Sequence, residues 1–469
     1  MARVRTDSHH PTRISDSQTR FGSVTDFGAI FKAYDVRGTV PDQLDADGAR
    51  AIGGAFARFV ASVGSTSVVV GRDMRPSGEE FVEAFSDGAM MHGVDVVDMG
   101  LCATDMMYYA SGHLEMPGAV FTASHNPAGY NGIKMCLAKA APIGADSGLN
   151  AIREMAEAGP DPAASRGHRT VVDLLDGYVD HVKSFVDVSA LAPLKVVADT
   201  ANGMGGLVLP AVFGGLPFEL DHMYAELDGT FPNHPADPIQ PENQRDLMDR
   251  VLATGADIGL AFDGDADRVF LVDETARAVS GSLTTAMVAR SILAREPGST
   301  VIHNLICSKT VREVIQEAGG TPVRTRVGHS FIKARMAETG AIFGGEHSGH
   351  YYFRDNFRAD SGLIAALVVL EELSSHPAGL SDIVASLDRY AASGEINTVV
   401  SDAASVIRNV EAAYPGADID HLDGLTVDMG DWWFNLRASN TEPLLRLNLE
   451  CSSSEEVDRR VAEVVAKFD

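Results

Sequence analysis

The feature that most constrains the fold of this chain is an alternation of strand-like and helix-like segments, a cycle that runs through most of the sequence and restarts twice. In the first cycle, Ile52, Phe56, Phe59 and Val63 recur at the three- and four-residue spacing of an amphipathic helix. Short apolar runs such as 67–70 and 118–121 have the length and composition of buried strands. Repetition of strand, helix and strand predicts parallel or mixed sheets with helices on their faces.

The pattern also predicts how the chain divides into units. Further strands are predicted at 94–97, 194–198, 257–262, 300–303, 322–327 and 341–343, and further helices at 81–92, 283–295, 310–318, 330–339 and 363–373. Near the C-terminus, acidic alanine-rich helices alternate with strands at 432–436 and 444–449, which is typical of an α+β unit. A polar stretch at 158–169 and a turn predicted at 393–395 suggest boundaries. We therefore expect a polar tail at 1–24, three similar α/β units at 25–169, 170–277 and 278–390, and a smaller α+β unit at 391–469.

Charge and composition exclude several classes of partner. The chain has 65 Asp and Glu against 38 Lys and Arg, a formal charge of −27. Such acidity argues against duplex nucleic acid or an anionic membrane as the main partner. The four cysteines are far apart, so a reducing compartment is expected. The first twenty residues lack the apolar centre of a signal peptide, and the longest apolar stretch, 363–370, is shorter than the roughly 20 residues that span a bilayer. We expect a cytoplasmic protein.

An acidic loop follows the predicted strand at 257–262, at the end of a strand where α/β folds bind ligands. Asp263, Asp265 and Asp267 alternate there, and three carboxylates repel one another unless a cation lies between them. All-oxygen ligands select Mg²⁺ or Ca²⁺. An EF-hand is excluded because Arg268 stands where that loop needs glycine, and because the preceding segment is strand-like rather than helical. A solvated acidic turn is the alternative.

A serine loop follows the predicted strand at 118–121, where the sequence continues TASHNP. The turn-forming Asn126 and Pro127 expose Ser124, which is a candidate nucleophile or phosphate carrier. An ordinary polar turn is the alternative. We do not expect Ser124 and His125 to form a hydrolase dyad, because neighbouring side chains diverge on extended backbone.

A glycine-rich loop, GGEHSGH at 344–350, follows the predicted strand at 341–343. Its small residues let a ligand approach the backbone, and Glu346, Ser348 and His350 can bond several hydroxyls, which suits a sugar. Glycine-rich turns with a Glu or Ser are also common without any ligand.

The last unit contains RASNTEP at 437–443. Arg437 and the donors of Ser439, Asn440 and Thr441 would form a phosphate-binding turn, in which charge-assisted bonds and backbone amides both contribute. The alternative is a strand connection with a surface arginine.

Together and in this order, these loops resemble those of the α-D-phosphohexomutase family, over about residues 31–446. The resemblance implies four domains around a central cleft and a phosphorylated Ser124. It also implies Mg²⁺ held by that phosphate and by Asp263, Asp265 and Asp267. The implied reaction interconverts hexose 6- and 1-phosphates through a hexose 1,6-bisphosphate, with glucose or mannose 1,6-bisphosphate as activator. The expected partner is a hexose phosphate, with no nucleic acid or membrane, in a monomer or homodimer.

The resemblance also implies roles for single residues. Lys134 and His329 would be the general acid/base candidates, and Arg268 would stabilise charge during transfer. His125 and Arg37 would lie near the phosphoserine. The implied substrate-binding residues are Tyr34, Glu346, Ser348, His350, Arg437, Ser439, Asn440 and Thr441.

One departure and several alternatives remain open at this stage. The lysine usual after the third-domain strand is missing from NLICS at 304–308, and whether the nearby Lys309 or Lys333 replaces it is left open by the sequence. The loop around Glu346 is similar to that of phosphomannomutases and of dual phosphomannomutase/phosphoglucomutases, which favours mannose with glucose as a second substrate. The alternatives are a phosphoglucomutase, a serine-dependent metallophosphatase and a non-enzymatic sugar-phosphate binding protein.

Overall fold

The computed structural model describes residues 25–438 and 444–468. These residues form four units in chain order, and each is built on one sheet. The sheets of the first three units mix parallel and antiparallel neighbours, whereas every pairing described in the fourth is antiparallel. The predicted fold class, three similar α/β units and a C-terminal α+β unit, is confirmed.

The first unit carries the serine loop on a central strand. Across its sheet the strands are Val36–Thr39, Tyr130–Leu137, Gly118–Phe121, Ser67–Arg72, Asp95–Leu101 and Arg169–Val171, with Ala141–Pro142 beside Tyr130–Leu137. Its α-helices are Phe27–Ile30, Ala46–Ser62, Gly78–Met91, Thr104–His113 and Leu149–Glu157. Asp45 caps the second of these helices by accepting a bond from the backbone N–H of Gly48. The last strand extends the sheet to Val171, two residues past the boundary placed at 169.

The second unit carries the acidic loop on its central strand. Its strands lie in the order Ala278–Val279, Val269–Asp273, Ile258–Phe262, Lys195–Asp199 and Glu219–Met223. Its α-helices are Leu175–Lys183, Gly205–Phe213 and Arg245–Thr254. Because Ile258–Phe262 is buried along its whole length, the acidic residues that follow it begin inside the molecule.

The third unit carries the glycine-rich loop inside a hairpin. Its strands lie in the order Thr321–Thr325, Thr300–Asn304, Phe343–Gly345 and Tyr351–Phe353, and its α-helices are Gly281–Arg295, Lys309–Glu317, His329–Thr339, Gly362–Ser375 and Leu380–Leu387. The strand predicted at 341–343 is therefore displaced by two residues. Its pairing with Tyr351–Phe353 runs through the backbones of Gly344 and Gly345, which have no side chains to signal a strand.

The fourth unit is an antiparallel sheet with two helices. Its strands lie in the order Ala391–Val399, Leu444–Cys451, Trp433–Ala438, Leu425–Asp428 and Asp418–Asp420, and its helices are Ala403–Ala412 and Ser454–Val465. The turn predicted at 393–395 is wrong. These residues form an irregularity within the first strand, where the register shifts between Ala392 and Glu395, and Gly394 supplies the positive φ of +67°.

One apolar core joins the first three units, and the fourth has a core of its own. The shared core includes Met107 of the first unit, Leu260 of the second and Leu367 of the third. Phe434 and Leu447 belong to the separate core of the fourth unit.

Among the described residues, no single helix is long and apolar enough to cross a membrane. One bent pair of helices, Gly362–Ser375 with Leu380–Leu387, has the length and composition to do so, judged by those two properties alone.

Candidate active site

The serine loop places a hydroxyl in direct contact with the second unit. Ser124 is 5% exposed, and its φ of +49° lies in the left-handed region. Its backbone N–H donates to Thr122 Oγ1 at 2.9 Å. Its own Oγ donates to Asp263 Oδ2 at 2.8 Å. Two loops separated by 139 residues in sequence therefore meet through Ser124 and Asp263.

The acidic loop groups three buried carboxylates. One oxygen each of Asp263, Asp265 and Asp267 lies within 4.8 Å of the others, and all three residues are buried. Asp265 Oδ1 and Asp267 Oδ1 accept no hydrogen bond from the described part of the chain. Buried oxygens without partners are costly, and a hard divalent cation would satisfy them. The donor set therefore fits Mg²⁺.

Lys134 compensates part of this negative charge. It lies on the strand Tyr130–Leu137, and its Nζ is 2.8 Å from Asp265 Oδ2 and 2.6 Å from Asp267 Oδ2. Burial opposes the charge on Lys134, but the two carboxylates outweigh it and hold the pKa of the lysine well above its ordinary value. Lys134 is therefore protonated in this arrangement.

Arg268 connects the acidic loop to the glycine-rich loop. Its Nε donates to Asp263 Oδ2 at 2.9 Å, and its backbone N–H donates to Asp263 Oδ1 at 3.2 Å. Its backbone forms an isolated bridge with His350 of the third unit. Burial works against its charge, but Asp263 and Asp267 raise its pKa above the ordinary value, so this guanidinium stays charged beside Ser124.

His125 and Arg37 lie beside the serine. His125 Nδ1 is 3.3 Å from Ser124 Oγ, so the expectation that these side chains diverge is wrong: the backbone at Ser124 is left-handed rather than extended. Burial, with the charges of Arg268 and Arg37, lowers the pKa of His125 to about 2 and leaves the ring neutral. Arg37 donates to Asn126 at 2.6 Å and pairs with a carboxylate in its own loop.

Glu346 is the most firmly held residue of the glycine-rich loop. Its Oε1 accepts from the backbone N–H of Gly328 at 3.0 Å and from Asn304 Nδ2 at 3.3 Å, and its Oε2 accepts from the Tyr352 hydroxyl at 2.8 Å. These donors fix the carboxylate before any ligand arrives.

Two other residues of this loop face each other. Ser348 Oγ lies 3.0 Å from His350 Nδ1, and His350 Nε2 lies 3.9 Å from Asp267 Oδ1. The glycine-rich loop and the acidic loop are therefore neighbours.

Some predicted site residues are only partly described. Arg437 ends the strand Trp433–Ala438, and its guanidinium donates to Glu395 at 2.9 Å. His329 begins the helix His329–Thr339, and its side chain lies outside the described part. Burial and the charge of the neighbouring Asp35 raise the pKa of Tyr34. Three residues of the predicted phosphate turn also lie outside the described part, namely Ser439, Asn440 and Thr441.

Lys309 and Lys333 both bind other groups in this structure. Lys309 Nζ donates to Asp428 Oδ1 and to the Gly430 carbonyl, both at 2.8 Å, which ties the third unit to the fourth. The buried Lys333 Nζ lies 3.1 Å from Asp360 Oδ1 and 3.7 Å from the centre of a tyrosine ring. These contacts do not support either lysine as a replacement for the one missing at 304–308.

Two further residues that contact the site were not named in the sequence analysis. Thr104 Oγ1 donates to Asp265 Oδ2 at 2.6 Å, although nothing in its own segment marks it as functional. Arg75 donates to the carbonyl of Ser124 from the segment between the strand Ser67–Arg72 and the helix Gly78–Met91. Both contacts join distant parts of the chain, so local patterns carry no signal for them.

Comparison with known proteins places these loops in one family. The models for phosphoglucomutase/phosphomannomutase match in four parts: alpha/beta/alpha domain I at 28–161, domain II at 176–277, domain III at 280–390 and the C-terminal domain at 395–467. A protein described as phosphohexose mutases from Xanthomonas campestris is 42% identical over 428 residues, which cover 90% of this chain and 94% of that protein. The phosphomannomutase/phosphoglucomutase of Pseudomonas aeruginosa is 38% identical over 437 residues, covering 92% and 93%.

A solved structure agrees with the sequence comparison. The crystal structure of a phosphoglucomutase/phosphomannomutase family protein from Burkholderia thailandensis matches with a TM-score of 0.87 and 34% identity. The match covers 95% of this chain and 97% of that one. The chain belongs to the phosphoglucomutase/phosphomannomutase family of phosphohexomutases.

Proposed function

We propose that this enzyme is a phosphomannomutase that interconverts mannose 6-phosphate and mannose 1-phosphate, with glucose phosphates as second substrates. The observation that carries the proposal is the 2.8 Å contact between Ser124 Oγ and Asp263, at the edge of three grouped carboxylates. Relatives named phosphomannomutase, such as that of Escherichia coli K12 at 39% identity over 432 residues, support the choice of mannose.

The phosphate carrier in this proposal is Ser124. A phosphate on its Oγ would carry about −1.5 to −2 charges at neutral pH, next to carboxylates that are already negative. Asp263, Asp265 and Asp267 would hold Mg²⁺ together with that phosphate. Bound Mg²⁺ supplies the positive charge that offsets the transferring phosphoryl group. Arg268, which stays protonated at 2.9 Å from Asp263, adds charge from the protein itself.

The proposed reaction exchanges one phosphorus–oxygen bond for another. A sugar hydroxyl oxygen bonds to the phosphorus as the bond to Ser124 Oγ breaks, and the proton lost by the sugar hydroxyl is balanced by one returned to the serine. Lys134 and His329 are the acid/base candidates. Lys134 lies at the acidic loop, with its Nζ 2.8 Å from Asp265 Oδ2 and 2.6 Å from Asp267 Oδ2.

The same cleft would accept the sugar in two orientations. Glu346, held by three donors, would bond hydroxyls that mannose and glucose share, with Ser348 and His350 beside it. Arg437, in its turn with Ser439, Asn440 and Thr441, would hold whichever phosphate is not reacting. The hexose 1,6-bisphosphate would then turn over and return its other phosphate to Ser124, and glucose or mannose 1,6-bisphosphate would act as activator.

The test is intact-mass measurement of the purified protein before and after incubation with glucose 1,6-bisphosphate and Mg²⁺. We expect one added phosphate that maps to Ser124, no addition in Ser124→Ala, and mutase activity only in the wild type. Release of inorganic phosphate from mannose 1-phosphate without isomerisation would instead identify a metallophosphatase. A higher kcat/KM for glucose 1-phosphate than for mannose 1-phosphate would make phosphoglucomutase the main activity.

A further inference from the structure

Arg75 is a fully buried arginine directly behind the serine loop. It lies between the strand Ser67–Arg72 and the helix Gly78–Met91 and is 1% exposed. Burying a guanidinium is costly unless each of its donors finds a partner. Where those donors point therefore indicates what the residue is for.

The guanidinium of Arg75 donates to four backbone carbonyls of one loop. Its Nη2 donates to the carbonyls of Ser124 at 2.9 Å and Asn126 at 2.7 Å. Its Nη1 donates to those of Pro127 and Tyr130, both at 2.9 Å. Three of these carbonyls belong to the irregular segment before the strand Tyr130–Leu137, and the fourth is that of the first residue of this strand. Arg75 thus supplies donors to backbone carbonyls that the irregular segment would otherwise leave without a neighbouring strand.

Arg75 is itself held from two sides. Asp73 accepts its backbone N–H at 2.9 Å and pairs with its Nε at 3.3 Å. From the second unit, the ring centre of Phe231 lies 5.1 Å from the guanidinium carbon. The backbone at Gly229 approaches so closely that a side chain there would come within 2.6 Å of the Arg75 Cα atom. One side chain thus fixes the serine loop against the unit that carries the acidic residues.

The conformation of Ser124 explains why such a fixed support is needed. Its φ of +49° is unfavourable for a residue with a side chain, and it persists only where the surroundings impose it. This conformation directs Oγ at Asp263. A displacement of about 1 Å at a reacting atom costs on the order of 10²-fold in rate, so a relaxed loop would lose the reaction before it lost the fold.

We propose that Arg75 is a positioning residue for phosphoryl transfer: it holds the carbonyl of Ser124 and three carbonyls that follow it in the chain, so that the serine oxygen faces the acidic loop. The inference rests on the proposed function, because it assigns Arg75 to the transfer that Ser124 carries. Arg75 acts through the loop backbone, and it is distinct from the residues that would bind the sugar or its phosphates.

The test compares Arg75→Lys with a matched control, Arg58→Lys. Arg58 is an arginine of the same unit that donates to two backbone carbonyls far from the serine loop, those of Met155 and Gly159, at the end of the helix Leu149–Glu157. Lysine keeps the charge but cannot reach four carbonyls in a fixed plane. For each variant we would measure Tm, kcat and KM for mannose 1-phosphate, and the single-turnover rate at which glucose 1,6-bisphosphate phosphorylates Ser124.

We expect Arg75→Lys to lower kcat and the phosphorylation rate on the order of 10²-fold with little change in KM. Arg58→Lys should leave both rates unchanged. A normal phosphorylation rate in Arg75→Lys, or a loss no larger than that in Arg58→Lys, would overturn the inference. If the wild type itself takes no phosphate on Ser124, the proposed function fails instead.

A second variant covers the case in which Arg75→Lys does not fold. Phe231→Leu keeps an apolar side chain but removes the ring that lies over the guanidinium. We expect a several-fold lower phosphorylation rate, an unchanged KM and a Tm close to that of the wild type. An unchanged phosphorylation rate in a folded Phe231→Leu protein would count against the role of Arg75.

Discussion

Several carboxylates of the site are buried close together, and the partners of each one determine its properties. Burial raises the pKa of Asp263, whereas Lys134 outweighs burial at Asp265 and lowers its pKa. Two aspartates of the same loop thus have pKa values shifted in opposite directions, because their surroundings differ. Glu346 is fixed by its hydrogen bonds, because its carboxylate accepts from Gly328, Asn304 and Tyr352.

Replacing Glu346 should weaken substrate binding. In Glu346→Gln, one carboxylate oxygen becomes an NH₂ group, which accepts no hydrogen bond. The side chain can then no longer accept from both Gly328 and Tyr352, and it binds a sugar hydroxyl less strongly. We expect KM for mannose 1-phosphate to rise by about 10- to 100-fold, as expected for the loss of one or two good hydrogen bonds. Glu338→Gln, at an exposed residue on the helix His329–Thr339, is the control. Equal KM values in the two variants would contradict the role of Glu346.

Asp105 should make stability depend on pH. Its Oδ2 accepts from the hydroxyls of Tyr178 at 2.7 Å and Ser361 at 2.6 Å, and burial raises its pKa to about 7. The unfolded value is about 3.9, so the folded state retains a proton that the unfolded state has lost. The resulting stability is complete below about pH 4 and is lost as pH rises towards 7.

The variant Asp105→Asn isolates this effect because it stays neutral while it keeps an acceptor oxygen. Between pH 5 and 8, Tm of the wild type should fall by a few degrees relative to that of the variant, measured by thermal unfolding at each pH. Parallel pH profiles for the two proteins would show that Asp105 does not titrate in this range.

At the scale of elements, the sequence predicted the helices and strands that carry a periodic pattern of apolar side chains. It predicted the strands that contain glycine less accurately. The strand Gly118–Phe121 has the predicted bounds, and Gly281–Arg295 begins two residues before the predicted helix. Gly344 lies in a strand that the pattern placed two residues too early, and Gly394 lies in a strand where the pattern predicted a turn. In both places the pairing depends on the backbone, which leaves no side-chain pattern.

The site was predictable to the same extent. Its loops follow strands that the pattern marks, so their residues could be proposed as candidates from the sequence. The support from Arg75 was not predictable, because it joins backbone atoms about 50 residues away in sequence. Contacts of that kind arise only once the units have packed.

The helix Gly362–Ser375 should be an element where shortening a side chain strongly lowers the free energy of unfolding. Leu367 lies at its centre, fully buried in the core that the first three units share. Leu367→Ala should lower the free energy of unfolding by about 2–5 kcal/mol through lost burial and a cavity. Leu252→Ala, on the helix Arg245–Thr254 and 59% exposed, should cost less than about 0.5 kcal/mol. Urea titration measures both, and similar losses would contradict the assignment of Leu367 to the core.

The whole molecule consists of a three-unit block joined by one shared core, to which the first unit adds a core of its own, and a fourth unit with a separate core. Described contacts between the third and fourth units include polar pairs such as Lys309 with Asp428 and Arg324 with Asp420. Polar contacts of this kind couple neighbouring units only weakly.

Calorimetry should therefore resolve two unfolding transitions. Val410→Ala, in the core of the fourth unit, should lower one of them, and Leu367→Ala should lower the other. If either variant shifts both transitions equally, or if the wild type unfolds in one transition whose calorimetric and van't Hoff enthalpies agree, the four units unfold cooperatively.

The shared core also bears on how such chains can recombine. A chimaera that takes residues 391–468 from a relative keeps the apolar core of the fourth unit within one parent. A chimaera that exchanges the second unit divides a core to which Met107, Leu260 and Leu367 all contribute, so residues from both parents have to fit at once. Recombination should therefore exchange the C-terminal unit freely, while the first three are inherited as a single block.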